Sequence, residues 1–542
     1  MASPRTGSRE LRCDVLVVGG GVGGVAAALA AVKLGASVIL TDQFRWLGGQ
    51  FTSQAVPPDE SIWVEQFGVT ASYADLRERI RAYYRRNYPL TTAARAQRHL
   101  NPGAGYVSKL CHEPRVAAAV IDELLAPGIG CGRLRMLQPA VPTVVFTAGD
   151  RIESVELLDL RSGDLVQVTA DYVLDATETG ELLALGGVEH VVGAESRDQT
   201  QEPHAALVAD PTNLQALSVC FAIDHIDGDH TIDKPARYDY FAALEPDVWG
   251  GPLLSFVAPD PRTGRPLART FDPNPGLDPL VVESDQRTNR GDVPLWLFRR
   301  IAARHNFEPG YYESDICLVN WPMHDYFLEP YINSDDPARV EHDARQLALS
   351  LLYWLQTAAP RLDGGTGYPG LRLRGDVTGG HPDGLAESIY HRESRRIVAE
   401  QTIREQDVSL AIRGDAGATS YPDSVGLGMY RIDLHPSTGG DPYIDIASCP
   451  FEIPLGALIP VRLDNLLPAA KNVGTTHITN GCYRLHPVEW NIGEVAGALA
   501  AHCVASRRLP RQVRADPALR EGFQRLLGTL GVQLRWPSIS GY

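Results

Sequence analysis

Clustered positive charge is scarce in this sequence of 542 residues, which carries 66 acidic against 50 basic side chains and a net charge of −16. Proteins that bind nucleic acids normally show a basic patch or stripe that neutralises phosphates. The charge balance therefore argues against a nucleic-acid partner. It remains compatible with one small basic pocket for an acidic ligand.

Paired cysteines are also missing. The eight cysteines are scattered along the chain, without a C-x-x-C pair and without the spacing of a zinc site. In a long chain without a secretory pattern, such cysteines are expected to be reduced and buried. We therefore predict no disulfide framework and no metal site.

Long apolar runs are absent as well. The most apolar window, residues 15–32, contains five glycines and only just reaches the ~18 residues that a membrane span needs. The first ten residues lack the apolar segment of a secretory signal. We expect a cytoplasmic protein with no membrane span. Its composition, 44% apolar and 21% charged, is that of a globular chain with a large core.

The sequence does contain a dinucleotide-binding pattern near its start. A short β-branched run enters GGGVGG, and an alanine-rich helical segment leads to a second apolar run that ends at Asp42. Gly19, Gly21 and Gly24 fit G-x-G-x-x-G, where glycine permits a tight turn, the approach of a pyrophosphate and close helix–strand packing. A carboxylate at the position of Asp42 accepts hydrogen bonds from ribose hydroxyls. The pattern predicts a βαβ unit with phosphates at the helix N-terminus.

Three absences narrow the choice of dinucleotide. No second G-x-G-x-x-G follows a strand, which argues against two separate dinucleotide sites. No C-x₄-C pair follows the second apolar run, which excludes a redox-active dithiol there. The carboxylate of Asp42 disfavours a 2′-phosphate on a dinucleotide bound at this site.

Several segments favour a flavin by resemblance. Residues 46–54, W-L-G-G-Q-F-T-S-Q, resemble a segment of FAD-dependent oxidoreductases built on the glutathione-reductase-type fold. Segments at 110–115, 175–177, 392–396 and 453–497 resemble the same family, and the last ends in the distinctive N-G-C-Y-R-L-H-P-V-E-W-N-I-G-E-V-A-G. The likeness covers nearly the whole chain. It implies FAD as the cofactor.

The resemblance also implies which residues contact FAD. The expected contacts along the pyrophosphate, the flavin, the adenine and the phosphates are Gly48, Gly49, Gln50, Thr52, Ser53, Val141, Ala176 and Thr177. Ile492 and Gly493 are expected to begin a helix whose dipole faces the isoalloxazine, because helix N-termini stabilise the negative charge of the reduced ring. The chain departs from the family in two places. Asp42 replaces the usual glutamate, and D-A-T-E at 175–178 replaces a common A-T-G.

A polar cluster precedes that helix and supplies candidates for chemistry. His477 and His486 are candidate bases, because imidazole titrates close to working pH. Arg484 is a candidate clamp for a carboxylate, Tyr483 a donor to a carbonyl, and Asn480 a substrate contact. The structural alternative is that the histidine before Pro487 is a cap and that Arg484 pairs internally with Glu489.

Two more residues are candidate substrate contacts. Arg392 lies in a predicted helix at 385–406, where it shares a face with Arg396 by i,i+4 spacing. Trp321 lies in N-W-P-M-H-D-Y, which also matches a family segment. The alternatives are an internal ion pair for Arg392 and a core position for Trp321.

Together these features predict an α/β protein. A Rossmann-like FAD-binding domain with a βαβ unit and a parallel sheet carries an inserted α+β substrate lobe. The predicted parts are 11–198 (FAD-binding, with an insertion at 57–105), 199–440 (substrate lobe), 441–510 (FAD-binding, second part) and 511–542 (C-terminal extension). The insertion is a candidate contact surface for an oligomer.

The predicted activity is oxidation of a small organic molecule by hydride transfer to the flavin N5. One alternative is a flavin-dependent monooxygenase or halogenase, which usually carries a G-D motif before the terminal flavin helix; residues 466–472 lack it. A second alternative is a flavin-binding partner subunit without turnover. The residues leave open the substrate, the electron acceptor and any covalent link to FAD.

Overall fold

A computed structural model describes residues 9–275 and 294–541 of the chain. Within these residues the strands are β1 (Arg9–Val18), β2 (Val38–Thr41), β3 (Leu134–Leu137), β4 (Ala140–Ala148), β5 (Arg151–Asp159), β6 (Leu165–Asp175), β7 (His190–Val191), β8 (Phe221–His225), β9 (Val257–Pro259), β10 (Pro266–Ala268), β11 (Arg300–Ala302), β12 (Ile316–Val319), β13 (Leu371–Leu373), β14 (Arg396–Ile397), β15 (Ser424–Gly428), β16 (Ile432–Leu434), β17 (Ile444–Ile446), β18 (Phe451–Pro454) and β19 (Leu466–Pro468). The helices are α1 (Val22–Lys33), α2 (Ala71–Asn87), α3 (Thr92–Ala96), α4 (Pro114–Gly130), α5 (Glu181–Leu185), α6 (Arg197–Thr200), α7 (Tyr238–Ala242), α8 (Leu295–Phe298), α9 (Pro337–Thr357), α10 (Glu405–Val408), α11 (Leu410–Arg413), α12 (His477–Tyr483), α13 (His486–Ser506), α14 (Pro510–Ala515) and α15 (Pro517–Leu530).

The main sheet has the order β3-β2-β1-β6-β5-β4, and β19 also pairs with β6. The pairs β3-β2, β2-β1, β1-β6 and β6-β19 are parallel, whereas β5 joins β6 and β4 in antiparallel fashion. Strand β1 is central and fully apolar from Val15 to Val18, as expected of a parallel strand covered on both faces. The predicted Rossmann-like sheet is therefore confirmed.

Helices α1 and α13 cross the sheet together and touch through their glycines. A Cβ atom on Gly493 would lie 2.5 Å from the Cα of Gly23, and one on Gly497 would lie 2.8 Å from the Cα of Ala27. Only glycine allows two helix backbones to approach this closely. Since α13 is buried along nearly its whole length, it forms the centre of the largest apolar core.

A second core lies in the other lobe. The antiparallel sheet β11-β12-β8-β13 carries α9 against it, and Val340, Leu347 and Leu351 of this amphipathic helix pack with Phe221 and Ile223 of β8. This is the expected α+β lobe. The domain boundaries themselves stay predictions. None of the helices in 9–275 and 294–541 is both long and apolar enough to cross a membrane.

The predicted helix at 385–406 is wrong. This segment is not helical before α10 begins at Glu405, and its backbone forms bridges or hydrogen bonds to several distant parts of the chain, among them 189–191, 218–220, 456–461 and 472–475. Tyr390 pairs with Ser218, Arg396 belongs to the short strand β14, and the Ile397 amide donates to the Asn472 carbonyl. The i,i+4 spacing of Arg392 and Arg396 is therefore accidental, since each guanidinium has its own buried acidic partner, as described below.

Candidate functional site

The glycine-rich turn connects β1 to α1 in the predicted manner. Gly19 has φ +103°, and a Cβ there would lie 2.7 Å from the amide nitrogen of Thr177. Gly21 precedes the first helical residue, and a Cβ on Gly24 would lie 3.0 Å from the Gly19 carbonyl carbon. Each of the three glycines thus meets a steric requirement. The turn leaves the first N–H groups of α1 without a side-chain cap, as an anion site requires.

A cavity opens in front of this turn, and we name it the dinucleotide cavity. It is lined by residues from the ends of β1, β2 and β6, the start of β4 and the segment 388–391: Val18, Gly19, Gly20, Gly21, Thr41, Asp42, Gln43, Phe44, Gly49, Ser53, Gln54, Ala140, Val141, Pro142, Ala176, Thr177, Glu178, Thr179, Glu181, Tyr331, Glu341, Ser388, Ile389 and His391. This set includes eight of the predicted contacts, namely Gly19, Gly21, Asp42, Gly49, Ser53, Val141, Ala176 and Thr177. Two of the others are fixed by neighbours of the glycine turn: the Gly48 amide donates to the Gly20 carbonyl (2.7 Å), and the Thr52 hydroxyl donates to the Leu47 carbonyl (2.7 Å).

Asp42 lies at the end of β2 with both carboxylate oxygens engaged by the backbone. The amides of Gly20 and Phe44 donate to it, each at 2.7 Å. Burial raises the pKa of Asp42 to about 7. Each carboxylate oxygen has a second lone pair, so the group retains the capacity to accept from a ribose hydroxyl.

The lining fits FAD in its polar atoms as well as its shape. The Thr41 hydroxyl and the Gln54 amide oxygen are buried in this wall and have no hydrogen-bond partner in the part of the chain that the structure describes. Buried polar groups are normally satisfied, so a ligand with hydroxyl and phosphate groups accounts for them. Against this stands Glu178, whose carboxylate lies beside Gly21 and Gly49 where phosphates are expected.

Lys471 balances that carboxylate. Its buried ammonium forms an ion pair with Glu178 and lies near Glu489, whose carboxylate accepts from the Gln50 amide at 2.9 Å. We name Glu178, Lys471, Glu489 and Gln50 the buried charge cluster. Burial and the neighbouring Glu178 raise the pKa of Glu489 to about 7, although Lys471 acts in the opposite direction. The predicted contact Gln50 therefore lies behind the glycine turn, in the wall.

The predicted start of the terminal helix is wrong. Helix α13 begins at His486, with Pro487 in its first turn, where the missing N–H and the fixed φ suit a helix start. Ile492 and Gly493 lie well inside this helix and contact α1 rather than beginning a dipole toward the flavin. The first turn of α13 contains Glu489, so the N-terminus of this helix lies at the buried charge cluster.

A second cavity lies in the other lobe and is lined largely by rings and charges; we name it the aromatic cavity. It has a volume of about 270 Å³. Its lining residues are Asp59, Glu60, Ile62, Tyr106, Val107, Asp260, Pro261, Arg262, Leu267, Arg269, Leu295, Phe298, Arg299, Asn320, Trp321, Pro322, Tyr430, Arg431, Asp433, His435, Tyr443 and Asp445. The predicted substrate contact Trp321 is among them.

Two side chains connect the cavities. Ile389 and His391 line the dinucleotide cavity, and between them Tyr390 accepts a hydrogen bond of 2.6 Å from Arg484. The other arm of Arg484 donates to the carbonyl of Asp433 (2.9 Å), which lines the aromatic cavity. The predicted Arg484 thus lies in the wall that the two cavities share.

His435 is the imidazole of the aromatic cavity. Its Nδ1 lies 2.6 Å from Asp325, a fully buried carboxylate that also pairs with Arg392 at 3.0 Å. Although burial alone would raise it, the pKa of Asp325 is held well below its usual range by Arg392 and His435. An Nδ1–H donated to this carboxylate leaves the lone pair of the neutral ring on Nε2. Sequence reasoning missed the pair, which is separated by 110 residues.

The predicted catalytic histidines have partners within the protein. His477 Nδ1 lies 2.9 Å from Glu393; although burial lowers its pKa, this carboxylate outweighs burial and raises it. His486 accepts from the Asp59 amide (3.2 Å) and donates to the Val56 carbonyl (3.2 Å), and burial lowers its pKa to about 3. Neither ring lines the aromatic cavity among the described residues. This geometry favours positioning roles for both, and their catalytic roles stay predictions.

The remaining candidates are also held by internal contacts. Tyr483 donates to the Glu452 carbonyl (2.8 Å) and stacks on Phe451, and Asn480 donates to the Lys471 carbonyl (3.1 Å). Arg392 donates to Ser218 and Asn320 besides its pair with Asp325. Asn320 lines the aromatic cavity, so Arg392 reaches it through that side chain.

Comparison with known proteins identifies the family to which the chain is similar. A family model described as FAD dependent oxidoreductase matches residues 14–527. The chain is also 36% identical over 84 residues to 4-oxocyclohex-2-ene-1-carboxylate 5-dehydrogenase of Sinomonas cyclohexanicum. That match covers 16% of this chain and only 14% of the relative's length.

Solved structures show distant similarity over most of the chain. A geranylgeranyl bacteriochlorophyll reductase-like protein from Thermoplasma acidophilum is 10% identical, with 97% of this chain and 85% of that chain covered and a TM-score of 0.34. An E. coli quinol fumarate reductase is 10% identical, with 96% and 74% covered and a TM-score of 0.32.

Proposed function

The chain belongs to the family of FAD dependent oxidoreductases, and from that premise we propose that it oxidises a small organic molecule bound in the aromatic cavity by hydride transfer to the flavin N5. The family makes the chain an FAD-dependent enzyme of the oxidoreductase type. The substrate, its position and the direction of transfer are the proposal.

The observation that carries it is the shared wall between the two cavities. Bound FAD supplies the hydride acceptor. Tyr390 and Arg484 join the segment that lines the dinucleotide cavity to Asp433 of the aromatic cavity. The two cavities are therefore linked through this pair of side chains, and the proposed hydride transfer requires the flavin ring of bound FAD to reach the substrate, because reacting atoms must lie about 3–3.5 Å apart.

His435 is the proposed base. The dehydrogenation removes two electrons and one hydrogen as hydride, and the second hydrogen leaves as a proton from an adjoining O–H or N–H. His435 Nε2 accepts this proton, while Asp325 holds the ring and stabilises the imidazolium, as carboxylates do for other catalytic histidines. Asp433 lies on the other side of the ring, with a carboxylate oxygen 3.7 Å from Nε2, within ion-pair distance.

The aromatic walls fit a small, largely apolar substrate. Trp321, Phe298, Tyr430 and Tyr443 offer flat surfaces that exclude water from the reacting C–H bond. The curated relative is named as a dehydrogenase, which agrees with oxidation as the direction of the reaction.

The test is anaerobic reduction of the purified flavoprotein by a panel of small alcohols, amines and acids, followed by His435→Asn. We expect one class to bleach the oxidised flavin spectrum and the variant to slow that reduction by about 10²–10⁴-fold, the usual contribution of a general base. The limb of the pH–rate profile that reports deprotonation of the base should disappear in the variant.

His204→Asn is the matched control, since His204 also lies against a carboxylate (Glu405, 2.7 Å) but outside both cavities. It should reduce at the parental rate. Unchanged reduction in His435→Asn would refute the role of His435. Reduction by NADPH alone, followed by an oxygenated product, would replace the proposal by a monooxygenase.

A further inference from the structure

The aromatic cavity contains buried polar atoms that find no hydrogen-bond partner within residues 9–275 and 294–541. Arg299 has Nε and Nη1 buried without a partner, and its nearest carboxylate oxygen, on Asp59, is 3.6 Å from Nη2. Arg269 has Nη1 buried without a partner, and so has Trp321 at Nε1. Buried donors left unpaired cost free energy, so each one needs a ligand atom or water as an acceptor.

All of these unsatisfied atoms are hydrogen-bond donors. Among the described residues that line the cavity, no buried acceptor is left without a partner. The carboxylates there already have partners: Arg431 pairs with Asp445, and Arg484 with Asp433. What the cavity lacks is therefore a set of acceptor oxygens, and what it has in excess is guanidinium N–H groups.

Building on the proposed function, we propose that the substrate carries a carboxylate, which binds at Arg299 with Arg269 adding positive charge, and that its apolar body lies against the aromatic rings. A carboxylate supplies about four acceptor positions and matches the planar fork of arginine in a bidentate pair. Arg299 is held for this task, since its guanidinium lies over the Phe298 ring at 5.2 Å.

The surroundings favour a carboxylate over a more highly charged anion. Asp59 lies beside Arg299, and Asp433 and Asp445 line the same cavity. A second negative charge on the ligand would meet these carboxylates in a poorly hydrated space, where like charges repel strongly. The flat rings of Tyr430 and Tyr443 add contact area for a ring or a short hydrocarbon chain.

Binding of unreactive acids tests this without any turnover. The FAD-loaded enzyme is titrated with benzoate, cyclohexanecarboxylate, benzamide and inorganic phosphate, and binding is followed by the flavin absorbance spectrum and by calorimetry. We expect both acids to bind at least tenfold more tightly than benzamide, and phosphate to bind more weakly than either acid. Arg299→Gln should weaken benzoate binding at least tenfold and change benzamide binding less than twofold.

Two further variants keep the test sharp. Arg269 is half-buried and follows β10. Arg269→Gln should weaken benzoate binding about threefold to tenfold, because it removes a positive charge from the cavity while Arg299 stays beside Asp59. Arg79→Gln is the control outside both cavities, where the exposed guanidinium lies 2.6 Å from Asp75, and it should change benzoate binding less than twofold.

The outcomes separate this proposal from the one on which it rests. Equal affinity for benzoate and benzamide, tighter binding of phosphate than of the acids, or unchanged benzoate affinity in Arg299→Gln would overturn the carboxylate class. If a neutral alcohol or an amine reduces the flavin while the acids do not bind, the oxidase or dehydrogenase activity stands and the carboxylate class fails. If the acids bind but no compound reduces the flavin, the carboxylate-binding site stands and the proposed oxidation fails.

Discussion

Replacing Gly493 by alanine tests the contact that positions the terminal helix. The added methyl carbon would lie 2.5 Å from the Cα and the carbonyl carbon of Gly23, and closer still to its oxygen. These are backbone atoms of α1, which cannot rotate away as a side chain can. To bring the nearest of these contacts to 3.4 Å, where ordinary contacts begin, α1 and α13 would have to separate by about 1.4 Å.

Two opposing terms set the expected stability change. Alanine gains about 1 kcal/mol over glycine in a helix interior. Overpacking a tight core costs about 1–3 kcal/mol and more where backbone must shift, and the contact at Gly493 belongs at the upper end. The net expectation is a loss of about 2 kcal/mol. Because Gly23 lies in the first turn of α1, the same shift moves the glycine turn and should weaken FAD binding.

The matched control is Gly522→Ala in α15. Its new methyl group would meet only the flexible tip of Arg525, at 3.8 Å, so the helix-propensity gain of about 1 kcal/mol should remain. Thermal unfolding is followed for both variants and the parent, together with FAD affinity by fluorescence. We expect the unfolding temperature to fall by about 2–5 °C in Gly493→Ala and to stay level or rise in Gly522→Ala, whose FAD affinity should not change.

The decisive result is a lower unfolding temperature in Gly493→Ala together with an equal or higher one in Gly522→Ala. If Gly493→Ala were as stable as the parent and retained its FAD, the helix contact would not position the site. If both variants lost stability equally, the loss would come from the substitution type rather than from the close approach of α1.

The buried charge cluster yields two further expectations. Lys471→Met leaves Glu178 and Glu489 buried without their cation, which should cost about 3–5 kcal/mol of stability and weaken FAD binding. Lys33→Met, at the exposed end of α1, is the control and should change neither stability nor FAD binding. The unfolding temperature and an FAD titration measure the two effects, and equal behaviour of the two variants would refute the role of Lys471. The pKa of Glu489 is raised to about 7 in the folded protein, so its protonated form stabilises the fold at pH values below the pKa of the unfolded chain, and this stabilisation is lost as pH rises through about 7. The unfolding temperature of Glu489→Gln, measured against the flavin-free parent, should therefore be more favourable at pH 8 than at pH 5. If the difference in unfolding temperature between variant and parent did not change with pH, the raised pKa would be contradicted.

Local patterns predicted the first βαβ unit because its information is local. The apolar run of β1, the three glycines and the acid that follows β2 depend on residues a few positions apart. Eight of the predicted FAD contacts line one cavity for the same reason, since the ends of parallel strands meet at one edge of a sheet. The sequence also predicted that helix α13 exists, although the predicted start at Ile492 lies six residues after the observed start at His486.

The rest depended on contacts between distant segments. The residues 385–406 have helical spacing of charges, yet Arg392 pairs with Asp325 and Arg396 with Glu195, both far away in the chain. Tertiary pairing thus overrides local preference. His435 carries no signal in its own neighbourhood, because its partner Asp325 comes 110 residues earlier in the chain.

The segment 477–497 explains why a distinctive motif need not be the reacting part of a site. Its polar side chains each bind a different segment: His477 holds Glu393, Arg484 holds Tyr390, His486 holds the backbone at Val56 and Asp59, and Glu489 holds Gln50. A residue whose donors and acceptors are all used by the protein is poorly available to substrate. Asn480 Oδ1, Arg484 Nε and Glu489 Oε1 do lack a partner among the described residues, but these three residues do not line the aromatic cavity. Arg299, Arg269 and Trp321 also have unused atoms, and they line that cavity together with His435. The segment 477–497 therefore joins several parts of the chain, and we expect the residues that distinguish one substrate from another to lie outside it, at Arg299, Arg269 and His435.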